Sequence, residues 1–250
     1  MQTLLIAGTS AQVGKTVVLS ALMAYWQRYK TSSAGVIKPL DFERLSQRSE
    51  PAELDCERFK RLFNLAQPVR EITPVLLRSA VLPPIEATTG DPIDFEQLWQ
   101  TLQQSQQRHE LVLLEAFGGL GTPLTFETTM ADLAWDWRIP TVLVVPVQPN
   151  LVADAVTNVA LANQSRLHLK GIILNELPRT ARADPDNQAD RDLQEDLQDS
   201  IELIQSLTRK PVLGYIPRLD PNSLPQLTRA AAGLALEQIL PGLELLRSSA

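Results

Sequence analysis

An apolar run, Leu4-Leu5-Ile6-Ala7, enters a loop bounded by Gly8 and Gly14, and Lys15-Thr16 then opens a stretch of helical pattern. A chain written this way is committed to a strand, a tight turn and a helix in immediate succession, since glycine permits the sharp backbone path and the close approach such a turn requires. The same arrangement cradles phosphate. Loop N–H groups face the oxygens, the helix N-terminus adds its positive end, Lys15 reaches the outer phosphates and the Thr16 hydroxyl is placed for Mg²⁺. Gly8 and Gly14 are separated by five residues where the common phosphate loop has four, so the strict pattern holds only from Gly14 onward. A plain strand-to-helix turn is the alternative. Because strand, loop and helix all fall where the motif demands, Gly8, Gln12, Val13, Gly14, Lys15 and Thr16 are expected to bind a nucleotide.

The remainder repeats the theme of a strand followed by a helix. Apolar runs of strand length at Thr3–Ala7, Ala34–Ile37, Leu111–Glu115, Thr141–Val147, Gly171–Leu174 and Val212–Ile216 alternate with helical patterns. The helices are expected near Lys15–Lys30, Glu53–Asn64, Phe95–Arg108 (with Asp94 as N-cap), Val152–Ser165, Arg191–Leu207 and Leu224–Leu240. Parallel strands need crossovers, and right-handed crossovers put helices on both faces. The expected fold is an α/β three-layer sandwich with a mostly parallel sheet, of the P-loop NTPase type. At 250 residues the chain has room for one such domain spanning 1–250.

Charge and cysteine usage exclude several classes. With 23 basic and 29 acidic residues the net charge is −6, the wrong sign for nucleic acid or an anionic membrane surface. Seven of the acids fall between Thr180 and Asp199, against two arginines, which reads as a solvated loop leading into a surface helix. Cys56 is the single cysteine, so no internal disulfide forms, and His109 and His168 are too few for a histidine-rich zinc site. No window approaches the ~20 apolar residues of a membrane span, and a cytoplasmic location is expected.

Three residues outside the loop carry candidate chemistry. Glu115 ends the run Leu111-Val-Leu-Leu, hence sits at the ligand-binding edge of a parallel sheet, where a phosphate-bound Mg²⁺ finds a carboxylate. Asp55 is a second carboxylate candidate and equally well an ordinary helix N-cap. Lys38 follows Val36-Ile37 at another strand's carboxyl edge, where a second cation could meet developing phosphate charge.

With these residues in hand, the chain resembles the dethiobiotin synthetase family over nearly its whole length. The resemblance rests on Gly8-Thr9, Val13-Gly14-Lys15-Thr16, Ala34-Gly35, Lys38-Pro39, Asp55, and Glu115 followed by Gly118-Gly119 and Thr122-Pro123-Leu124. It continues through Ala131-Asp132, Val142–Val147, Gly171 to Asn175, and Pro211 to Pro217. It implies an ATP- and Mg²⁺-dependent cyclo-ligase that carboxylates 7,8-diaminononanoate with CO₂ and closes the ring to dethiobiotin. It further implies that Thr16, Asp55 and Glu115 hold Mg²⁺, that Lys15 and Lys38 face the γ-phosphate and the carbamate, that Asn175 meets the adenine, and that the protein is a homodimer with its substrate pocket at the subunit interface.

Departures from the family pattern fall on the amine side. Ser10, Ala11 and Gln12 stand where the family usually carries Asp, Thr and an acid, Leu40-Asp41-Phe42-Glu43 replaces a small residue and a Ser-Gly, and Ala116-Phe117 precede Gly118-Gly119. Leu82 to Ala87 retains only part of a Pro-Ser-Pro-His-like stretch. An alternative reading is a ligase or regulatory paralogue of this fold with another, or no, amine substrate. A ParA/MinD-like partitioning switch would carry a second lysine early in the phosphate loop, and none lies between Gly8 and Gly14.

Overall fold

The computed structural model describes residues 1–30, 32–42, 53–77, 83–86, 92–178 and 197–241. The strands are β1 (Gln2–Gly8), β2 (Ala34–Ile37), β3 (Leu40–Phe42), β4 (Val75–Leu77), β5 (Leu111–Glu115), β6 (Thr141–Pro146), β7 (Leu169–Asn175) and β8 (Val212–Ile216). The helices are α1 (Lys15–Tyr29), α2 (Asp55–Phe63), α3 (Val69–Ile72), α4 (Pro83–Glu86), α5 (Phe95–Arg108), α6 (Met130–Asp136), α7 (Leu151–Gln164), α8 (Leu197–Thr208), α9 (Leu224–Ala232) and α10 (Leu236–Ile239). Six strands form one parallel sheet in the order β2-β5-β1-β6-β7-β8, as the alternation of elements requires.

Alternate residues of each central strand serve opposite faces. Leu4, Ile6, Leu111 and Leu113 join a core with α1, α2, α9 and α10. Their neighbours Leu5, Ala7, Val112 and Leu114 join a second core with α5, α6, α7 and α8. Two separate cores on one sheet are the three-layer sandwich. Register decides what reaches its carboxyl edge: Ile6 pairs with Glu115 and Gly8 with Val144, which sets the phosphate loop beside Glu115. The chain crosses from β5 over β1 to β6, so the crevice outside the ends of β1 and β5 is the switch point where ligands bind in open α/β sheets.

Several sequence expectations need correction. The helix expected over Leu224–Leu240 is two helices, because the Ala235 N–H bonds the Leu213 carbonyl of β8 at 2.7 Å and Leu234, 1% exposed, turns inward beside Gly214. The structure adds a second, two-stranded parallel pairing of β3 with β4 that the sequence pattern does not show, since three-residue strands carry no readable periodicity. Asp94 does cap α5, accepting from the Gln97 N–H at 2.9 Å. Most of the acidic stretch, along with Glu43 and Leu82, lies outside the described residues.

Candidate active site

The loop between β1 and α1 is built on two tight approaches. A Cβ on Gly8 would lie 2.5 Å from Val13 Cγ2, and one on Gly14 would lie 2.0 Å from Asn175 Nδ2. Gly14 has φ 95°, and Gln12 also takes a left-handed backbone at φ 61°. These turns aim α1 at the loop mouth, and the Val17 and Val18 N–H groups start the helix on the Gly14 carbonyl at 3.0 and 3.1 Å. Asn175, the last residue of β7 and 2% exposed, donates from Nδ2 to the Val13 carbonyl at 3.1 Å. Its Oδ1 is buried and accepts no hydrogen bond from the described residues, while Asn175 lines the same cavity as the loop.

Charged side chains converge at this mouth from α1, β3, α2 and β5 and from the residue just past β2. Lys15 donates to the Ser10 carbonyl at 2.8 Å, curling over its own loop. Lys38, just past β2, hydrogen-bonds Asp55 Oδ2 and lies 3.0 Å from Asp41 Oδ2 and 3.5 Å from Glu115 Oε1. Thr16 Oγ1 donates to Glu115 Oε1 at 2.9 Å. All five charged residues are buried: Lys15 5%, Lys38 4%, Asp41 1%, Asp55 8% and Glu115 3% exposed. Two lysines thus face three carboxylates, a net negative charge that favours a cation.

Burial and partners move the titrations in opposite senses. Burial, with Lys38 adding repulsion and Glu115 only partly offsetting it, pulls Lys15 down to about 8. Burial also works against the charge of Lys38, but the fields of Glu115, Asp55 and Asp41 together outweigh it and hold that ammonium above the usual lysine range. Burial pushes the Glu115 carboxyl up, against the pull of Lys38.

The expected site residues meet here. Gly8, Gln12, Val13, Gly14, Lys15 and Thr16 make the loop, and Lys38, Asp55 and Glu115 stand at its mouth. Asp55 is not the N-cap of α2. Leu54 occupies that position, and the Asp55 carboxylate turns inward to Lys38. Thr16, Asp55 and Glu115 offer a hydroxyl and two carboxylates, the hard oxygen set that Mg²⁺ takes when phosphates complete its shell. Glu115 Oε2 is buried without a hydrogen-bond partner among the described residues, an anionic oxygen that such an ion would satisfy.

A cavity of about 920 Å³ extends from this centre in two directions. One arm runs past Asn175, Glu176, Leu177, Pro217 and Arg218. There Glu176 ties the ends of β7 and β8 together, accepting from Tyr215 Oη at 2.5 Å and from Arg218 Nη2 at 2.8 Å. The other arm passes Thr9, Gln12, Phe42, Phe117 and Gly118. Phe42 and Phe117 meet edge to face with ring centroids 6.4 Å apart, lining the cavity and backing onto the second core at once. The loop after β5 docks on the phosphate loop: the Leu120 N–H bonds the Gly8 carbonyl at 3.1 Å, and a Cβ on Gly119 would lie 2.6 Å from the Thr9 carbonyl. Asp41, Glu176 and Arg218 also line this cavity, and no motif spacing in the sequence marks them. Asp132, part of the resemblance, serves locally by pairing with Thr129 at the start of α6.

A family model described as an AAA domain matches residues 2–226. The ATP-dependent dethiobiotin synthetase of Gloeothece citriformis is 44% identical over 245 residues, covering 96% of this chain and 100% of its own. The chain belongs to the dethiobiotin synthetase family. The family's enzyme from Crocosphaera subtropica is 42% identical over 242 residues, covering 96% of this chain and 100% of its own. Among solved structures, a ParA family ATPase from Chlorobium tepidum superposes with a TM-score of 0.51 at 12% identity, covering 98% of this chain and 96% of that one, and shares the P-loop NTPase fold alone.

Proposed function

We propose that this chain is an ATP-dependent cyclo-ligase that forms dethiobiotin from 7,8-diaminononanoate and CO₂, a step of biotin biosynthesis. The observation that carries the reading is the convergence of Lys15, Lys38, Asp55 and Glu115 on one phosphate loop, in a chain 44% identical to a dethiobiotin synthetase across its length. In this reaction one amine adds to the carbon of CO₂ and releases a proton, giving a carbamate. A carbamate oxygen then attacks the γ-phosphorus as ADP leaves, and the second amine attacks the carbamoyl carbon, expelling phosphate and closing the ring.

No side-chain nucleophile is needed, so the residues act by position and charge. The loop N–H groups and Lys15 hold the β- and γ-phosphates at the start of α1. Lys38 offsets the charge that builds on the transferring phosphoryl and the carbamate. Thr16, Asp55 and Glu115 would hold Mg²⁺, which when bound neutralises the outer phosphate oxygens. The Asn175 amide reads the adenine through its buried Oδ1, which suits an exocyclic amine. The amine substrate occupies the arm lined by Thr9, Phe42 and Phe117, whose rings flank its apolar chain. The family resemblance supports a homodimer, which sedimentation tests directly. Among the described residues no helix is long and apolar enough to cross a membrane.

The deciding experiment measures ATP hydrolysis with and without diaminononanoate and bicarbonate, with product mass as second readout. Turnover that requires the diamine and yields dethiobiotin is expected. Hydrolysis indifferent to the diamine refutes the assignment.

A further inference from the structure

We propose that Asp41 is the positioning residue for Lys38, the counterion that keeps this ammonium at the phosphate-loop mouth when Asp55 and Glu115 turn to a metal. The inference rests on reading the site as a Mg²⁺-dependent phosphoryl-transfer centre and adds a residue to it.

Lys38 has three carboxylate neighbours among the described residues: Asp41, Asp55 and Glu115. Two of them belong to the donor set with Thr16. A divalent ion held by those oxygens would engage them and repel a nearby ammonium. Asp41 alone of the three stands outside that set, so it remains as partner when the others are taken. Its geometry suits the task. Asp41 Oδ1 accepts the Phe42 N–H at 2.9 Å, which turns Oδ2 toward Lys38 at 3.0 Å. The backbone beneath is held at both ends, by the Lys38 N–H on the Ile72 carbonyl at 2.7 Å and by pairing of Leu40 and Asp41 with Val75 and Leu76. Asp41 and Lys38 thus ride on one rigid segment three residues apart, whereas Asp55 and Glu115 come from other elements. In this structure Lys38 is shared among all three carboxylates. On loading it exchanges partners and leans on Asp41, facing the phosphoryl group instead of being driven from the site.

The test is a double-mutant cycle with a second readout that needs no turnover. Asp41→Asn is expected to lower kcat at least about tenfold with the KM for ATP within about twofold, since the interaction it supports acts mainly in the transition state. Added to Lys38→Met, it should lower kcat no further, because it acts through Lys38. In nucleotide-free protein titrated with Mn²⁺ alone, Lys38→Met should tighten binding by freeing Asp55 and Glu115, and Asp41→Asn should weaken it. Wild-type kcat in Asp41→Asn, additivity in the cycle, or no gain in Mn²⁺ affinity for Lys38→Met overturns the proposal. If Asp41→Asn fails to fold, Asp41→Glu replaces it: its carboxylate sits one methylene out of register, and the same kcat deficit at unchanged KM for ATP is required. Should the wild type never couple ATP to the diamine, the functional assignment fails while the Mn²⁺ titrations still judge the partner exchange.

Discussion

Replacing Gly14 by Ala tests whether the phosphate loop is held from beneath by Asn175. The backbone there has φ 95°, a left-handed conformation that costs an L-residue about 1–2 kcal/mol. The new Cβ would also lie 2.0 Å from Asn175 Nδ2 and 2.8 Å from Cγ. Asn175 is 2% exposed and bonded to the Val13 carbonyl at 3.1 Å, so it can withdraw only by abandoning that carbonyl. An unsatisfied buried acceptor costs about 1–3 kcal/mol, which brings the expected loss to roughly 2–5 kcal/mol. For a chain of this size that lowers Tm by roughly 4–20 °C. Asn175→Ala alone should cost about 1–3 kcal/mol through the same lost bond. The double variant no longer has the collision and keeps the backbone strain, so its loss should fall short of the two single losses combined by about 1–3 kcal/mol. Thermal and urea unfolding of all four proteins without nucleotide measures this, and calorimetry should show weakened ATP binding in Gly14→Ala. A wild-type Tm in Gly14→Ala, or additivity within about 0.5 kcal/mol, would refute the argument.

With Lys15 on the outer phosphates as proposed, its lowered titration gives ATP binding a pH dependence: above about 8 the free protein loses that ammonium, so Kd should rise by up to about tenfold per pH unit. Calorimetry in buffers of different ionisation enthalpy should then detect proton uptake on binding, and a flat affinity between about pH 8 and 10 would contradict it. The sign for stability is the reverse. A lysine depressed from 10.5 to about 8 carries its burial cost in full below about 8, and that cost is relieved as pH rises toward 10.5, so Lys15→Met should flatten this rise in nucleotide-free stability. On the arm proposed for the amine, Phe117→Ala should lower the KM for diaminononanoate by opening the wall beside Phe42, with the KM for ATP unchanged, and adding Gln12→Glu, whose carboxylate attracts an ammonium group, should lower it further; an unmoved diamine KM would remove both residues from the substrate path.

Much of the site could be read from residue order because a phosphate loop is a local device. Gly8, Gly14, Lys15 and Thr16 are neighbours in the chain, and their chemistry follows from one strand, one turn and one helix start. Glu115 was legible for a related reason, since the end of an apolar run in a parallel sheet must lie on the ligand edge. Asp55 shows where local reading stops. As a residue at a helix start it could cap or it could ligate, and only the tertiary structure removes the first option, by turning its carboxylate inward to Lys38, just past β2. Asp41 was visible merely as a departure from a family pattern, and its pairing with Lys38 depends on a three-residue strand held by β4. Periodicity and motif spacing report what the backbone does over a few residues, which determined the alternating elements, the parallel sheet and the phosphate loop. Which carboxylates share an ammonium, and which amide lies beneath Gly14, depend on strand register and on elements distant in sequence, because buried charge and close contact are decided by packing in three dimensions.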